Sequence, residues 1–191
     1  MSTRANIRLF LERWATGRRI LILLGIFLLF TLVIFPLLTS QLTLLSNGVS
    51  LIDNEFSYTP EKAYQMITSY GAQGRPLYIA VTLTADLAYP IVYGLLLTLA
   101  MVYFFRSTFA VNSVIQGAIY IPLAGMIADY LENICLVILL ATFPNWLEGL
   151  AQAANVLTGL KWGLLLTSIL LVLAGIITWL FTGRRSLAGG K

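Results

Sequence analysis

Residues 20–38 read ILILLGIFLLFTLVIFPLL, an apolar run without a charge. At the α-helical rise of about 1.5 Å per residue, such a run crosses a hydrocarbon core of roughly 30 Å. A cleaved signal peptide is the competing reading. The run is too long for an ordinary signal core, and no small-x-small cleavage pattern comes after Leu38. It is therefore expected as a retained first span, 20–40, bent or ended by Pro36 near its far end.

Outward from that run the chain keeps the same character. Of its 191 residues 59% are apolar and 10% charged, against about 25% charged in soluble proteins. So few charges cannot coat a water-facing surface, and the apolar excess must face lipid. Three more apolar stretches complete the set: 77–105 with Pro90 inside, 113–142 with Pro122 inside, and 150–182. All three exceed the roughly 20 residues a crossing needs, so they tilt or extend past the bilayer. The expected fold is all-α: a polytopic four-transmembrane-helix bundle forming one membrane domain over 1–191. A short amphipathic N-terminal helix and a small outer-face lid complete it.

The flanks carry the polar residues. In 1–19, Ile7, Phe10, Leu11 and Trp14 fall at i, i+3, i+4 and i+7, with Arg4, Arg8, Glu12 and Arg13 on the other side. This spacing fits a basic amphipathic helix in the headgroup layer, and equally a plain positive flank before the first span. Gly17 separates it from that span. Residues 41–76 hold Asp53, Asn54, Glu55, Glu61, Lys62 and Arg75. Within them Thr59-Pro60-Glu61 reads as a helix start, with a cap, a proline at the first position and an acid in the first turn. Ala63, Tyr64, Ile67 and Tyr70 recur at helical spacing and Gly71 ends the helix. This segment is the lid, its apolar side resting on the bundle or the bilayer surface. A tight turn at 106–112, a short loop at 143–148 containing Pro144 and Glu148, and a tail at 183–191 make up the rest.

Basic residues set the expected orientation. Arg4, Arg8, Arg13, Arg18, Arg19, Arg106, Arg184, Arg185 and Lys191 fall on one face, and Lys62 and Arg75 on the other. Both termini are accordingly expected in the cytoplasm of a cell with the protein in its plasma (inner) membrane, with 41–76 and 143–148 outside. Trp14, Tyr103 and Trp179 fit the inner interface, and Tyr78 and Trp146 the outer one, where Arg75 and Tyr78 read as ordinary anchors in preference to readers of an anionic lipid headgroup. The basic face attracts anionic membrane lipids; it gives no reason to expect nucleic acid as a partner.

Two counts exclude chemistry. The chain has no histidine and one cysteine, Cys135. Imidazole-ligated haem or zinc, Ser-His and Cys-His catalysis, and thiol-disulfide relays are out. No phosphate loop or metal motif occurs, so no cofactor and no metal is expected. Cys135, on an apolar stretch, reads as a small core residue.

Four ionisable residues nevertheless lie inside the last three spans: Asp86, Asp129, Glu132 and Lys161. Counted from the outer ends at about 1.5 Å per residue, all lie roughly 13–20 Å deep. Each sits on a polar stripe: Thr82, Asp86, Tyr89 and Tyr93 on the second span, Asp129, Glu132 and Asn133 on the third, Asn155, Thr158, Lys161 and Trp162 on the fourth. One-sided polarity means that side faces protein or water. Turned inward, the stripes build one polar cluster. Holding helices together is one use for it. Yet three acids face one lysine, so either carboxyls stay protonated or a cation or water enters. The candidate site for a proton, cation or lipid-like ligand is Asp86, Tyr89, Tyr93, Asp129, Glu132, Asn133 and Lys161. Lys161 compensates one acid, and Tyr89, Tyr93 and Asn133 supply hydrogen bonds. An intramembrane acid–base enzyme acting on a lipid or isoprenoid is the alternative, as is an accessory subunit of a homo-oligomer or a larger membrane complex.

From Tyr58 to Asn133 runs a series of elements: Tyr58-Thr-Pro-Glu-Lys-Ala-Tyr64, Gly71-x-x-Gly-Arg75-x-x-Tyr78, Asp86-x-x-Tyr89-Pro90-x-x-Tyr93 and Asp129-x-x-Glu132-Asn133. Their order resembles that of small uncharacterised bacterial integral membrane proteins with four spans, a resemblance covering under half of the chain and carrying no activity across. Four spans with buried acids are also similar to the sterol-isomerase-like membrane enzymes. The absent histidine departs from their acid–base equipment, so their chemistry is not implied.

Overall fold

In the computed structural model, residues 3–108 and 114–188 are described. Lys191 and most of the 106–112 turn lie outside the described residues, as do the side chains of Arg4, Ile7, Arg8, Arg184 and Arg185. The described chain is all helix and turn, with no strand: α1 (Thr3–Trp14), α2 (Gly17–Leu29), α3 (Phe35–Leu45), α4 (Pro60–Ser69), α5 (Gly71–Leu83), α6 (Ala85–Thr108), α7 (Ile121–Thr142) and α8 (Glu148–Ala188). Four segments are long and apolar enough to cross a membrane: Gly17–Leu45, Gly71–Arg106, Ile115–Thr142 and Glu148–Phe181.

The first span runs on past Pro36 instead of ending there. A π-helical turn at Phe30–Ile34 precedes it, and the Phe35 N–H bonds five residues back to the Phe30 carbonyl. That wider turn absorbs the strain of a ring that lacks an N–H, so the helix continues to Leu45. The span lies on the flank of the bundle against α5 and α6, with its most apolar stretch exposed. α6, α7 and α8 pack on one another as the inner trio.

The second span differs more. The sequence reads as one helix over 77–105; the span starts at Gly71 and is broken at Thr84. Thr84 has φ −119° and ψ −85°, and its hydroxyl donates to the Ala80 carbonyl at 2.6 Å. At the other ends the corrections are smaller. A 3-10 turn, Val114–Tyr120, leads into α7, so Pro122, inside the third span, stands in the first turn of its α-helical part. Glu148 opens α8 as a first-turn acid, not a loop charge.

Thr59 caps α4 by accepting from the Lys62 N–H at 3.3 Å, and Gly71 closes it at φ 65°, a conformation that favours glycine. On the opposite end α1 docks through buried Leu11 and Ala15 against Leu99, Met101, Val102 and Phe105, while Phe10 and Trp14 stay exposed. That face is apolar and outward, as an interfacial helix requires.

Two apolar layers result. One, toward the lid, joins Ile52, Tyr58, Ile67, Tyr70 and Tyr78 to Leu136, Leu139, Ala151 and Ala154. The other, toward the termini, is the layer around Phe105. Along α7 and α8 the charged residues fall between the two.

α8 approaches α6 closely at Gly175, where a Cβ would stand 2.9 Å from Phe105 Cε1 and 3.2 Å from Phe104 Cβ. Phe105 is fully packed and cannot yield. Gly163 on the same helix has open space around it. Gly175→Ala is therefore expected to lower unfolding stability by about 1–3 kcal/mol, with Gly163→Ala neutral or slightly stabilising. Thermal unfolding of both variants in detergent checks this; equal effects would contradict the close crossing.

Candidate functional site

The centre is built around Lys161. Its ammonium lies 2.7 Å from Glu132 Oε2 and 3.7 Å from Asp129 Oδ1. The Lys161 side chain is 8% exposed and that of Glu132 not at all. α7 supplies both acids from one face, three residues apart, and α8 brings Lys161 opposite them. The other carboxylate oxygens are also held. Tyr93 OH donates to Asp129 Oδ2 at 2.9 Å, and Thr158 Oγ1 bonds Glu132 Oε1 at 2.6 Å. A buried ion pair persists only when its remaining lone pairs are satisfied in this way.

Asp86 is buried as well. Because α5 ends at Thr84, Asp86 sits in the first turn of α6, where the helix dipole favours a negative group. Its electrostatic neighbours are Asp53, Asp129 and Lys161, with Asn133 beside it. Tyr89 departs from the group. Its hydroxyl pairs with Thr31 of the first span at 3.1 Å, and its ring packs against Phe27, Phe30 and Phe35. It fastens the flanking span to α6, its ring stands 5.5 Å from that of Tyr93, and Asp129, Asp86 and Lys161 are its electrostatic neighbours.

The unforeseen member is Asp53, from the lid. The short turn Ile52–Asn54 drops onto the bundle, and the Asp53 carbonyl accepts from Trp162 Nε1 at 3.1 Å and from Lys161 Nζ at 3.5 Å. Its carboxylate accepts from Tyr78 OH at 2.8 Å. Tyr78, expected as an interface anchor, is 2% exposed and serves as this latch. Next to it, the Tyr58 N–H donates to Asn155 Oδ1 at 2.8 Å and Tyr58 OH lies 3.2 Å from Thr158 Oγ1. The lid thus roofs the centre with its own backbone. The sequence offers no clear signal of this dive: Leu51 and Ile52 precede Asp53, but Val49 and Phe56 are apolar in the same loop. Tyr70 and Tyr64 pin the lid further, to Ser50 O at 2.7 Å and Asn145 O at 2.6 Å.

A groove of about 430 Å³ opens beside the centre, between α5, the start of α6 and α7. Thr82, Tyr130 and Asn133 are the polar residues in its lining; no carboxyl reaches it. Cys135 is half-buried against the lid-side layer. Among the described residues no cluster of three or more acids, cysteines or histidines has the arrangement of a metal site.

Fold and centre together define a polytopic all-α membrane bundle with a roofed carboxylate–lysine centre. Comparison with protein-family models, curated proteins and solved structures gives no match.

Burial pushes the Tyr58 hydroxyl above its ordinary value of 10.0, with the Thr158 hydrogen bond opposing and the Glu132 charge reinforcing. Tyr70 is raised in the same way, by burial first and then by Asp53. The docked lid thus holds neutral tyrosines that ionise more easily when it is undocked. Stability is present below the ordinary value and is lost as pH rises past it, at up to about 1.4 kcal/mol per pH unit for each group. In thermal unfolding above pH 10, Tyr58→Phe is expected to show a shallower loss than the parent, with Tyr70 accounting for what persists. Equal slopes would contradict the roofing role of Tyr58.

Proposed function

We propose that the chain is a plasma (inner) membrane protein with both termini cytoplasmic and the lid outside, and that its buried centre binds exchangeable positive charge, as protons or a small monovalent cation. The orientation rests on the basic residues: Arg13, Arg18, Arg19 and Arg106 belong to the helix ends on the terminal side, and Lys62 and Arg75 to the lid side. One observation carries the functional reading. Four carboxyl groups, Asp53, Asp86, Asp129 and Glu132, share the field of one lysine. A low-dielectric site does not hold that excess of negative charge by itself. The surplus is neutralised by something that arrives from outside the chain.

The enzymatic alternative draws support from the lateral groove, since a lipid substrate needs such an entry. It is disfavoured because the groove presents an amide and hydroxyls, without a carboxyl to give or take a proton.

The test is proton binding by vesicle-reconstituted protein, titrated between about pH 5 and 9 in sodium and in N-methylglucamine salts. The parent is expected to take up at least one proton more than an Asp86→Asn, Glu132→Gln double variant. A sodium-dependent shift would assign the site to the cation. Equal uptake, with only stability lost in the variant, would assign the cluster to helix adhesion and contradict the proposal.

A further inference from the structure

On the terminal side a second groove, of about 380 Å³, runs between α1, the start of α2 and α6. That volume falls in the range of small-molecule pockets. Buried Leu11 and Leu99 form its floor, and Phe10, Ile22 and Leu95 its exposed rim. These residues belong to an interfacial helix and to two membrane-spanning segments, so the groove opens to hydrocarbon. One charged residue lines it, Arg19. Arg19 stands one helical turn ahead of Ile22 and Leu23 on α2, hence at the terminal end of the groove. Its position is fixed by the end of α1. Arg19 Nη1 donates to the Arg13 and Trp14 carbonyls at 3.2 and 3.4 Å, and the guanidinium lies 4.4 Å over the Trp14 ring. Both bonds use one nitrogen. The other guanidinium N–H groups have no partner among the described residues, and no carboxylate there pairs with Arg19.

We infer that this groove seats one acyl chain of an anionic phospholipid, whose phosphate pairs with Arg19 and whose head carries no cationic group. An apolar trough with a single cation at its end matches an amphiphile with a negative head. The depth agrees, since tryptophan settles at headgroup level and Trp14 stacks under the guanidinium. The guanidinium fork matches phosphate oxygens better than a point charge does. Charge selects among phospholipids. The described side chains of the terminal side include Arg13, Arg18, Arg19 and Arg106 against one acid, Glu12. A zwitterionic head brings its own ammonium into that field, and an anionic head does not. The same field disfavours two other occupants. Residues 183–191 of this chain carry Arg184, Arg185 and Lys191 without an acid, and a second copy would present the same basic side. General attraction of a basic face to anionic lipid is diffuse and follows the number of cations. A seated lipid depends on one arginine and on the space beside it. The inference does not rest on proton or cation exchange in the centre.

Two photolabile probes test it, phosphatidylglycerol and phosphatidylcholine with the same diazirine-bearing chains, each at trace level in phosphatidylcholine nanodiscs holding the full chain. Labelled residues are mapped by peptide mass spectrometry. Phosphatidylglycerol is expected to label segments 10–23 and 95–99 about fivefold more than phosphatidylcholine. Arg19→Gln is expected to bring phosphatidylglycerol down to the phosphatidylcholine level, with phosphatidylcholine labelling unchanged. Arg18→Gln, which removes the same charge one residue away from a side chain outside the groove, is expected to keep the preference. Ile22→Trp fills the groove from its rim at constant charge and leaves the Arg19 bonds to α1 in place. It is expected to suppress labelling by both probes, and with the parent's preference it carries the test if the Arg19 variant does not fold. Equal labelling of the parent by the two probes, or equal losses from Arg18→Gln and Arg19→Gln, would mean diffuse attraction and overturn the inference. A fall of both probes alike in Arg19→Gln would make Arg19 a shaper of the groove only and overturn its role toward the head. Labelling unchanged by Ile22→Trp would overturn the seating of the chain.

Discussion

Lys161 and Glu132 meet at 2.7 Å in the interior of a bundle whose outer surface is apolar. An ion placed in such surroundings without a partner costs several kcal/mol, and more where hydrocarbon replaces water. This one pair therefore constrains most of what surrounds it. It orients α7 and α8 face to face, since both residues must point at one spot. It requires Thr158 to occupy the Glu132 oxygen that the ammonium does not reach, as Tyr93 does for the neighbouring Asp129. It also requires cover from water, which the lid provides with the Asp53 carbonyl.

The apolar layers above and below do the complementary work. Leu136, Leu139 and Ala154 on the lid side, and Leu99, Phe105 and Ile119 on the terminal side, exclude solvent along the helix axes. Between them lie the buried charges Asp129, Glu132 and Lys161. The break at Thr84 serves the same level. A continuous second span would carry Asp86 in mid-helix, with no dipole to favour its charge. A helix restarted at Ala85 presents Asp86 in its first turn and opens a gap beside α7. The groove and the first-turn position of Asp86 both lie at the break in this one helix.

Most of this organisation is legible in the residues themselves. The count of spans comes from apolar runs, because lipid tolerates little else. The inward stripes of α7 and α8 come from spacing, and Asp129, Glu132, Thr158 and Lys161 converge as that spacing predicts. What could not be read depends on contacts far apart in the chain. Nothing local distinguishes Asp53 from any loop acid, since its role comes from Trp162 and Tyr78. Tyr89 shares the helical register of Asp86 and Tyr93, yet its ring is drawn away by aromatic neighbours on the first span, contacts that periodicity within one helix does not report. The restart at Ala85 has no glycine or proline at the break. Pro90 lies beyond it, and threonine is an ordinary residue in a span.

A double-mutant cycle on Lys161→Met and Glu132→Gln, read as unfolding free energy in lipid nanodiscs, tests the inward-facing ion pair most directly. Residues in contact couple by about 0.5–3 kcal/mol, and a buried, hydrogen-bonded pair belongs at the upper end of that range. A coupling of about 2 kcal/mol or more is expected, with Lys161→Met alone strongly destabilising. Effects that add within about 0.5 kcal/mol would contradict the pairing, and with it the buried centre.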